Sequence, residues 1–392
     1  MQRIAIIATQ RTAIGQLNGQ FATLSAPHLA AYAIEKVVAQ AQISNEQIDE
    51  VILGCVLPAG QGQAPARQAA IYAKIPHGVG ATTLNKMCGS GMKAMMVGAN
   101  AIKAHGAQII LAGGMESMSR APYLLLKARS GYRLGHSTLY DHMFLDGLED
   151  AYEPGKLMGV FAEQCAQKFN LSREQQDEFA IHSLKRAQKA AKEGWFGPEI
   201  APVTLVNKDT SEQFAQDELP LRAKLEKITQ LKPAFKEDGT VTAANSSGIS
   251  DGAAVHLLMS ESVAQQHSVK PLAWIVGYVS HAQQPQWFTT APIVAIQKLL
   301  KQVQWEIDKV DLFEINEAFA VVTLAAIKEL NLPEEKVNIH GGACALGHPI
   351  GASGARIVTT LIYALKQKGL KRGVAAICIG GGEATAMAIE LA

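Results

Sequence analysis

Apolar residues along this chain switch between a strand period and a helix period, and the order of the switches occurs twice. A β-rich run, Ile4 to Thr9, is followed by the loop Arg11-Thr12-Ala13-Ile14-Gly15. Leu29, Ala33, Val37 and Ala41 then recur on one stripe, with Ala30, Ile34 and Val38 beside it, which predicts a helix from about Pro27. Gln47 to Gly54 reads as a turn feeding a strand. A Gly/Gln-rich loop (Pro58 to Gln63) and a helix around Ala66 to Ala73 come next. From Ser90 the residues Met92, Ala94, Met95, Met96, Val97, Ala99 and Ile102 predict a helix apolar on most faces. The last strand of this set, Ile109 to Ala112, runs into Gly113-Gly114-Met115-Glu116.

The second set begins with the strand Leu272 to Gly277. A helix starts at Ala291-Pro292, with Ile293, Ile296, Leu300 and Val303 on one side, and Lys309 to Ile315 repeats the turn and strand of residues 47–53. Ser353-Gly354-Ala355-Arg356 is expected to open a helix as Ser90-Gly91-Met92-Lys93 does, and Ile377 to Glu383 answers Ile110 to Glu116. Serine and glutamate lie 26 positions apart in the first set and 30 in the second. This is an internal duplication of a βαβ-type unit.

The second set continues directly into a final strand, Ala386 to Leu391. Its counterpart, Ala253 to Leu258, comes more than a hundred residues after Glu116, so an insertion separates two strands of one half. The expected organisation is residues 1–118 with 250–270 as one half, 119–249 as the insertion, and 271–392 as the other half. Within the insertion, Ser172-x-x-Gln175 has the form of a capping box and Gln176 to Glu193 reads as a long helix. An insertion of this kind predicts a ligand cover or an assembly arm rather than a catalytic element.

Composition narrows the class. Of 392 residues, 48% are hydrophobic and 18% charged, enough for large cores and for some surface buried in an oligomer. A net charge of +1 argues against nucleic acid or an anionic membrane as partner. Five widely spaced cysteines (55, 88, 165, 344, 378) form no zinc pattern and suggest a reducing compartment. No signal segment or membrane-spanning run is visible, which predicts a cytoplasmic protein.

The chemistry-bearing residues cluster after strands. Cys88, in Asn85-Lys86-Met87-Cys88-Gly89-Ser90-Gly91, precedes a helix whose free N–H groups and dipole favour a thiolate. A structural cysteine under a glycine turn is an equal reading of that segment alone. Asn316 in Asn316-Glu317-Ala318-Phe319-Ala320 reads first as a helix N-cap. His348, between Gly347 and Pro349, is held out of the helical region and suits a positioned base. In Cys378-Ile379-Gly380-Gly381-Gly382 the glycines expose N–H groups for an oxyanion or anion nest, or simply make a tight turn.

Taken together, Asn85 to Ala94, Gly113 to Met118, Asn245-Ser246-Ser247-Gly248, Asn316 to Ala320, Gly341 to Arg356 and Cys378 to Gly382 resemble the thiolase family from end to end. The resemblance implies an α/β thiolase fold, two duplicated halves in a layered αβαβα arrangement with an inserted loop domain. It also implies a homotetramer, or at least a dimer. It implies condensation of two acetyl-CoA to acetoacetyl-CoA, or thiolysis of 3-ketoacyl-CoA, with coenzyme A as substrate and no cofactor or metal. By the same resemblance Cys88 is the acylated nucleophile, His348 takes its proton, and Cys378 handles the α-proton of the second acetyl-CoA. Asn316 holds a water at that molecule's thioester oxygen, and the N–H groups of Cys88 and Gly380 hold the acyl-enzyme oxyanion. Ser247 touches the pantetheine arm, Arg222 lies near the nucleotide, and Leu157, Met158, Phe288 and Phe319 surround the acyl group.

Three departures from the family pattern stand out. Glu383-Ala384 replaces a second small glycine turn, Leu157-Met158-Gly159 replaces His-Met-Gly, and Trp287-Phe288-Thr289-Thr290 is bulkier than the loop expected there. The aromatic bulk predicts a short-chain preference; the alternative is a longer-chain 3-ketoacyl-CoA thiolase. A decarboxylating condensing enzyme would place histidine where Cys378 stands. A non-catalytic acyl-CoA-binding protein would have lost Cys88, His348 or Cys378. A dinucleotide oxidoreductase would need the GxGxxG spacing that is missing here.

Overall fold

The β-branched and alanine-rich runs pair into a single large sheet in the computed structural model, which describes residues 2–207 and 210–392. Its main strands are β1 (Ile4–Thr12), β2 (Glu50–Gly54), β3 (Gly80–Leu84), β4 (Ile109–Ser117), β5 (Ser250–Ser260), β6 (Ala273–Ala282), β7 (Leu312–Ile315), β8 (Arg372–Ile379) and β9 (Glu383–Leu391). They lie in the order β7-β8-β9-β6-β1-β5-β4-β2-β3. The halves therefore share one strand order, β2-β4-β5-β1 matching β7-β8-β9-β6. The extra edge strand β3 is answered in the second half only by a single bridge, Phe313 to Val337. The equivalent strands β1 and β6 join the halves antiparallel, with Ile4, Ala5 and Ile6 opposite Ile275, Trp274 and Ala273.

The helices are α1 (Ala26–Ala41), α2 (Pro65–Tyr72), α3 (Ser90–Lys103), α4 (Met158–Phe169), α5 (Arg173–Lys192), α6 (Ala291–Val303), α7 (Ala320–Leu330) and α8 (Ile350–Lys368). Three separate apolar clusters show the expected αβαβα layering. One packs α1 and α2 on the first half, and another packs α6 and α7 on the second. Between them α3 and α8 are buried against strands of both halves, through residues such as Met92, Met95, Ile357, Leu361, Ile52 and Ile377.

The central pair makes backbone contact. A Cβ placed on Gly91 would lie 2.8 Å from the Ala355 nitrogen, and one on Gly354 would lie 2.7 Å from the Met92 nitrogen. These glycines are the duplicated Ser-Gly pair, so the two copies touch each other at the same position. As a result the residues preceding both helices, Cys88 and His348, approach one another.

Several local expectations shift. The strand expected to end at Ala112 runs on to Ser117, because Gly113 and Gly114 accommodate close neighbouring backbone at Ala254 and Gly351. The second central helix opens at Ile350 rather than Ser353, with Pro349 as its N-cap, so Ser353 lies inside its first turn. Helix α4 was not foreseen; it buries Phe161, Ala162, Cys165, Ala166 and Phe169. The capping box at Ser172 and Gln175 opens α5 as expected.

The insertion is anchored by a buried ion cluster. Arg11 donates to Glu199 Oε1 (2.6 Å) and to both oxygens of Asp217 (2.7 and 2.9 Å), all with almost no exposure. Its other end projects as the short hairpin Tyr123–Leu124 with Tyr140–Asp141, where Leu126, Leu134 and Leu139 stand exposed. Among the described residues, no helix is long and apolar enough to cross a membrane.

Glycine at the α3–α8 crossing carries a measurable consequence. Alanine raises helix propensity by about 0.5–1 kcal/mol, but a methyl forced against rigid backbone costs about 1–3 kcal/mol. Gly91→Ala and Gly354→Ala are each expected to lower the denaturation midpoint, read by urea unfolding with circular dichroism. An unchanged or raised midpoint at either site contradicts the close-contact argument.

Candidate active site

Four loops meet at one end of the central helices and enclose a cavity of about 780 Å³. Cys88, His348, Cys378 and Gly380 all line it, together with Ser247, Leu157, Met158, Phe288 and Phe319. Cys88 and Gly380, 292 positions apart in the chain, thus share one wall.

Cys88 lies in the turn before α3, with Gly89 at the cap position. It is partly exposed toward the cavity, yet its sulfur is tightly surrounded, and burial pushes the thiol up to about 11. Hydrogen bonding from the backbone of Gly380 and of Cys88 itself acts the other way and is outweighed. The helix terminus therefore does not make a standing thiolate, contrary to expectation. A dipole of this kind supplies about 0.3–1 kcal/mol, less than about one pKa unit, against full desolvation of a charge.

His348 is buried, and desolvation lowers its pKa to about 3, so the ring is neutral at physiological pH. Its backbone N–H donates to the Gly248 carbonyl at 2.9 Å. Ser353 Oγ lies 2.6 Å from Nδ1 and 3.0 Å from the Pro349 carbonyl. With the single hydroxyl proton donated to that carbonyl, Oγ accepts from Nδ1–H. That tautomer leaves Nε2, which has no partner among the described residues, as an open acceptor. Ser353 is thus a functional residue that sequence reasoning missed. The signal was a hydroxyl five residues past the histidine, across a proline that starts a helix.

Cys378 ends β8, and Gly381 and Gly382 carry the chain back into β9 at φ of 92° and 89°. Its thiol is buried and raised well above the ordinary value, first by desolvation and then by the neighbouring Cys88. Asn316 is fully buried and does not cap α7, whose N-cap is Phe319. Arg356 Nη2 donates to its Oδ1 at 3.4 Å and Nη1 to Glu314 at 3.1 Å, while the Asn316 amide nitrogen has no partner. The amide is therefore oriented with a free donor, although Asn316 does not itself line the cavity.

Glu116 is a second residue whose role was not foreseen. Its buried carboxylate accepts from the N–H groups of Val56 (2.9 Å), Leu57 (3.2 Å) and Gly351 (2.9 Å). It thereby ties the first half to the opening turn of α8. Burial raises this acid to about 7.

The acyl side of the cavity is apolar. Phe288 is 3% exposed and packs edge-on to Phe161 at 6.5 Å, and Phe319 meets Phe235 at 5.9 Å. Trp287, expected to add bulk beside Phe288, instead stacks under Lys168 at 4.2 Å in a separate groove. Ser247 is on the wall, its N–H bonded to the Ala318 carbonyl at 3.0 Å. Arg222 is not on the wall; its exposed guanidinium pairs with Glu218 at 2.6 Å, while Leu219 of the same helical turn faces the cavity.

Two protonated thiols beside a neutral imidazole predict a particular reactivity profile. Inactivation by iodoacetamide should accelerate continuously from pH 6 to beyond pH 9, because the raised Cys88 pKa keeps the thiolate fraction rising there. A rate that levels off below pH 8 would show a preformed thiolate instead.

Two family models match the chain: thiolase, N-terminal domain, over residues 4–262, and thiolase, C-terminal domain, over residues 269–391. The chain is 47% identical to the acetyl-CoA acetyltransferase of Chromobacterium violaceum over 389 residues, 99% of each chain. It is 47% identical to that of Escherichia coli over 392 residues, 100% of this chain and 99% of the relative. The crystal structure of Bacillus anthracis acetyl-CoA acetyltransferase matches with a TM-score of 0.97 at 40% identity, covering 100% of this chain and 99% of that one.

Proposed function

The chain belongs to the thiolase family, and on that premise we infer that it is an acetyl-CoA C-acetyltransferase. It joins two acetyl-CoA into acetoacetyl-CoA and coenzyme A, or runs the reverse thiolysis. The observation that carries this reading is the convergence of Cys88, the open Nε2 of His348, Cys378 and Gly380 on one cavity.

The first half-reaction begins with proton transfer from Cys88 to Nε2 of His348 as the sulfur attacks the acetyl carbonyl. A neutral imidazole is the form that can accept this proton. The developing oxyanion is held by the N–H groups of Cys88 and Gly380, which need no reorganisation. The imidazolium passes that proton to the coenzyme A thiolate, which leaves as the thiol, and the acetyl group remains as a thioester of energy similar to the one broken.

In the second half-reaction Cys378 gives its own proton to the neutral His348 ring, and the resulting thiolate removes the α-proton of the incoming acetyl-CoA. A thiol whose pKa is raised is a stronger base once ionised, which suits a weakly acidic carbon. The protonated ring of His348 and the free amide donor of Asn316, through a water, stabilise the enolate oxygen. The enolate carbon then attacks the Cys88 thioester, the C–S bond breaks to release acetoacetyl-CoA, and the Cys88 sulfur takes its proton back from His348.

The two cysteines should separate by experiment. Incubated with acetyl-CoA, the wild type and Cys378→Ala are both expected to gain one acetyl group in intact-protein mass spectrometry. Cys88→Ala should gain none, and Cys378→Ala should fail to condense. An adduct persisting in Cys88→Ala, or condensation by Cys378→Ala near the wild-type rate, overturns the assigned roles. Loss of acetoacetyl-CoA enolate absorbance on adding coenzyme A tests the overall reaction.

We propose that the substrates are short. Each extra methylene could gain about 0.8 kcal/mol by burial, but a misfit of one methylene changes discrimination by about 1–3 kcal/mol. The buried Phe288 ring closes the space that Leu157 would otherwise make hospitable. Phe288→Leu is the suitable probe, since truncation to alanine in a core costs about 3–5 kcal/mol. In Phe288→Leu the kcat/KM for eight-carbon relative to four-carbon 3-ketoacyl-CoA should rise at least about tenfold. An unchanged ratio removes Phe288 as the gate.

A further inference from the structure

The two loops that each contribute one oxyanion donor are bridged by a side-chain pair outside the cavity. Lys86 stands two residues before Cys88, and Glu383 stands three residues after Gly380. The Lys86 ammonium forms an ion pair with Glu383 Oε2 across the seam between the halves. Neither residue lines the cavity, although their neighbours Met87, Cys88, Gly380 and Gly381 do.

Each loop is held by contacts of its own. On the nucleophile side, Met87 has φ of 45°, its N–H donates to Asn85 Oδ1 at 2.8 Å, and the Lys86 N–H donates to Ser90 Oγ at 2.8 Å. On the base side, Gly382 abuts the Gln283 carbonyl, where a Cβ would come within 2.4 Å. Between the loops the contacts are apolar or weak: Gly89 fits against Ile379, and the Gly380 backbone approaches the Cys88 sulfur. The ion pair is the charged link between them.

We propose that Lys86 and Glu383 form a positioning clasp that sets the distance between the Cys88 and Gly380 N–H groups. The inference rests on the thiolase reading above. An isolated pair at 22% and 34% side-chain exposure contributes little to overall stability. Its leverage is geometric, because an oxyanion hole loses much of its effect when a donor moves by a fraction of an ångström. The clasp therefore acts on the chemical steps and not on substrate affinity or folding.

The test uses the full-length enzyme in five forms: wild type, Lys86→Met, Glu383→Gln, Lys86→Arg, and the reversed pair Lys86→Glu with Glu383→Lys. Thiolysis of acetoacetyl-CoA and the rate of Cys88 acetylation by acetyl-CoA are measured, with thermal midpoints alongside. Each neutralised variant is expected to lose about tenfold in kcat and in acetylation rate, with KM within about twofold and the midpoint unchanged. Lys86→Arg should keep the wild-type rate, and the reversed pair should recover most of it. Neutralised variants with wild-type kcat, a loss carried by KM, or a reversed pair no better than the single variants would overturn the clasp. A wild type that acetylates while those results hold rejects the clasp alone. A wild type that takes no acetyl group rejects the thiolase reading and the clasp's role with it.

Discussion

The contact of α3 with α8 through Gly91 and Gly354 is the constraint on which the site depends. Two helices from duplicated halves meet where neither carries a side chain, so their backbones approach to a distance that a methyl would prevent. Each helix is preceded by a loop bearing a reactive residue, Cys88 before one and His348 before the other. Bringing the helix starts together brings the nucleophile and its base onto one cavity wall. Glu116 reinforces this arrangement, since its carboxylate joins Val56 and Leu57 of the first half to Gly351 of the second. One buried side chain thus satisfies three N–H groups that would each be costly to leave unpaired.

The electrostatics of the cavity favour neutral resting forms. Desolvation dominates at Cys88, Cys378 and His348, leaving two thiols and an uncharged imidazole in a largely apolar space. In the proposed mechanism nucleophile activation is then coupled to substrate arrival, the proton moving as the sulfur attacks the carbonyl. In the proposed mechanism negative charge is received by backbone N–H groups and, through a water, by the Asn316 amide, which Arg356 orients.

The insertion serves the same cavity from outside the duplicated core. Arg11, buried with Glu199 and Asp217, fastens it to β1. The Asn245–Gly248 segment is bonded to the second half: Ala320 donates to the Asn245 carbonyl, Ser247 to that of Ala318, and His348 to that of Gly248. Helix α4 contributes Met158 to the wall, and the buried Gly159 leaves room for the Phe235 ring. Leu157 and Met158 of the insertion and Phe288 and Phe319 of the second half thus share one wall.

Much of this was legible in the residue order. Period and punctuation located most strands and helices, and the repeated Ser-Gly, Gly-Gly and acidic positions revealed the duplication. The motif order led to Cys88, His348, Cys378 and Gly380, which the structure gathers into one cavity. Other features depended on long-range packing. The strand through Gly113 and Gly114 continues because neighbouring backbone lies against it, and α4 is held by a core assembled from distant segments. The helix at Ile350 begins early enough to place Ser353 under His348. Protonation was equally out of reach: the helix start suggested a thiolate, but burial by other parts of the chain reversed the balance. Trp287 and Phe288 are adjacent in sequence yet face different cavities, which only the turn of the backbone decides. Local pattern records which residues a backbone can accommodate and which chemistry they carry. Desolvation, orientation and distance belong to the surroundings, and those exist only once separated segments have packed together.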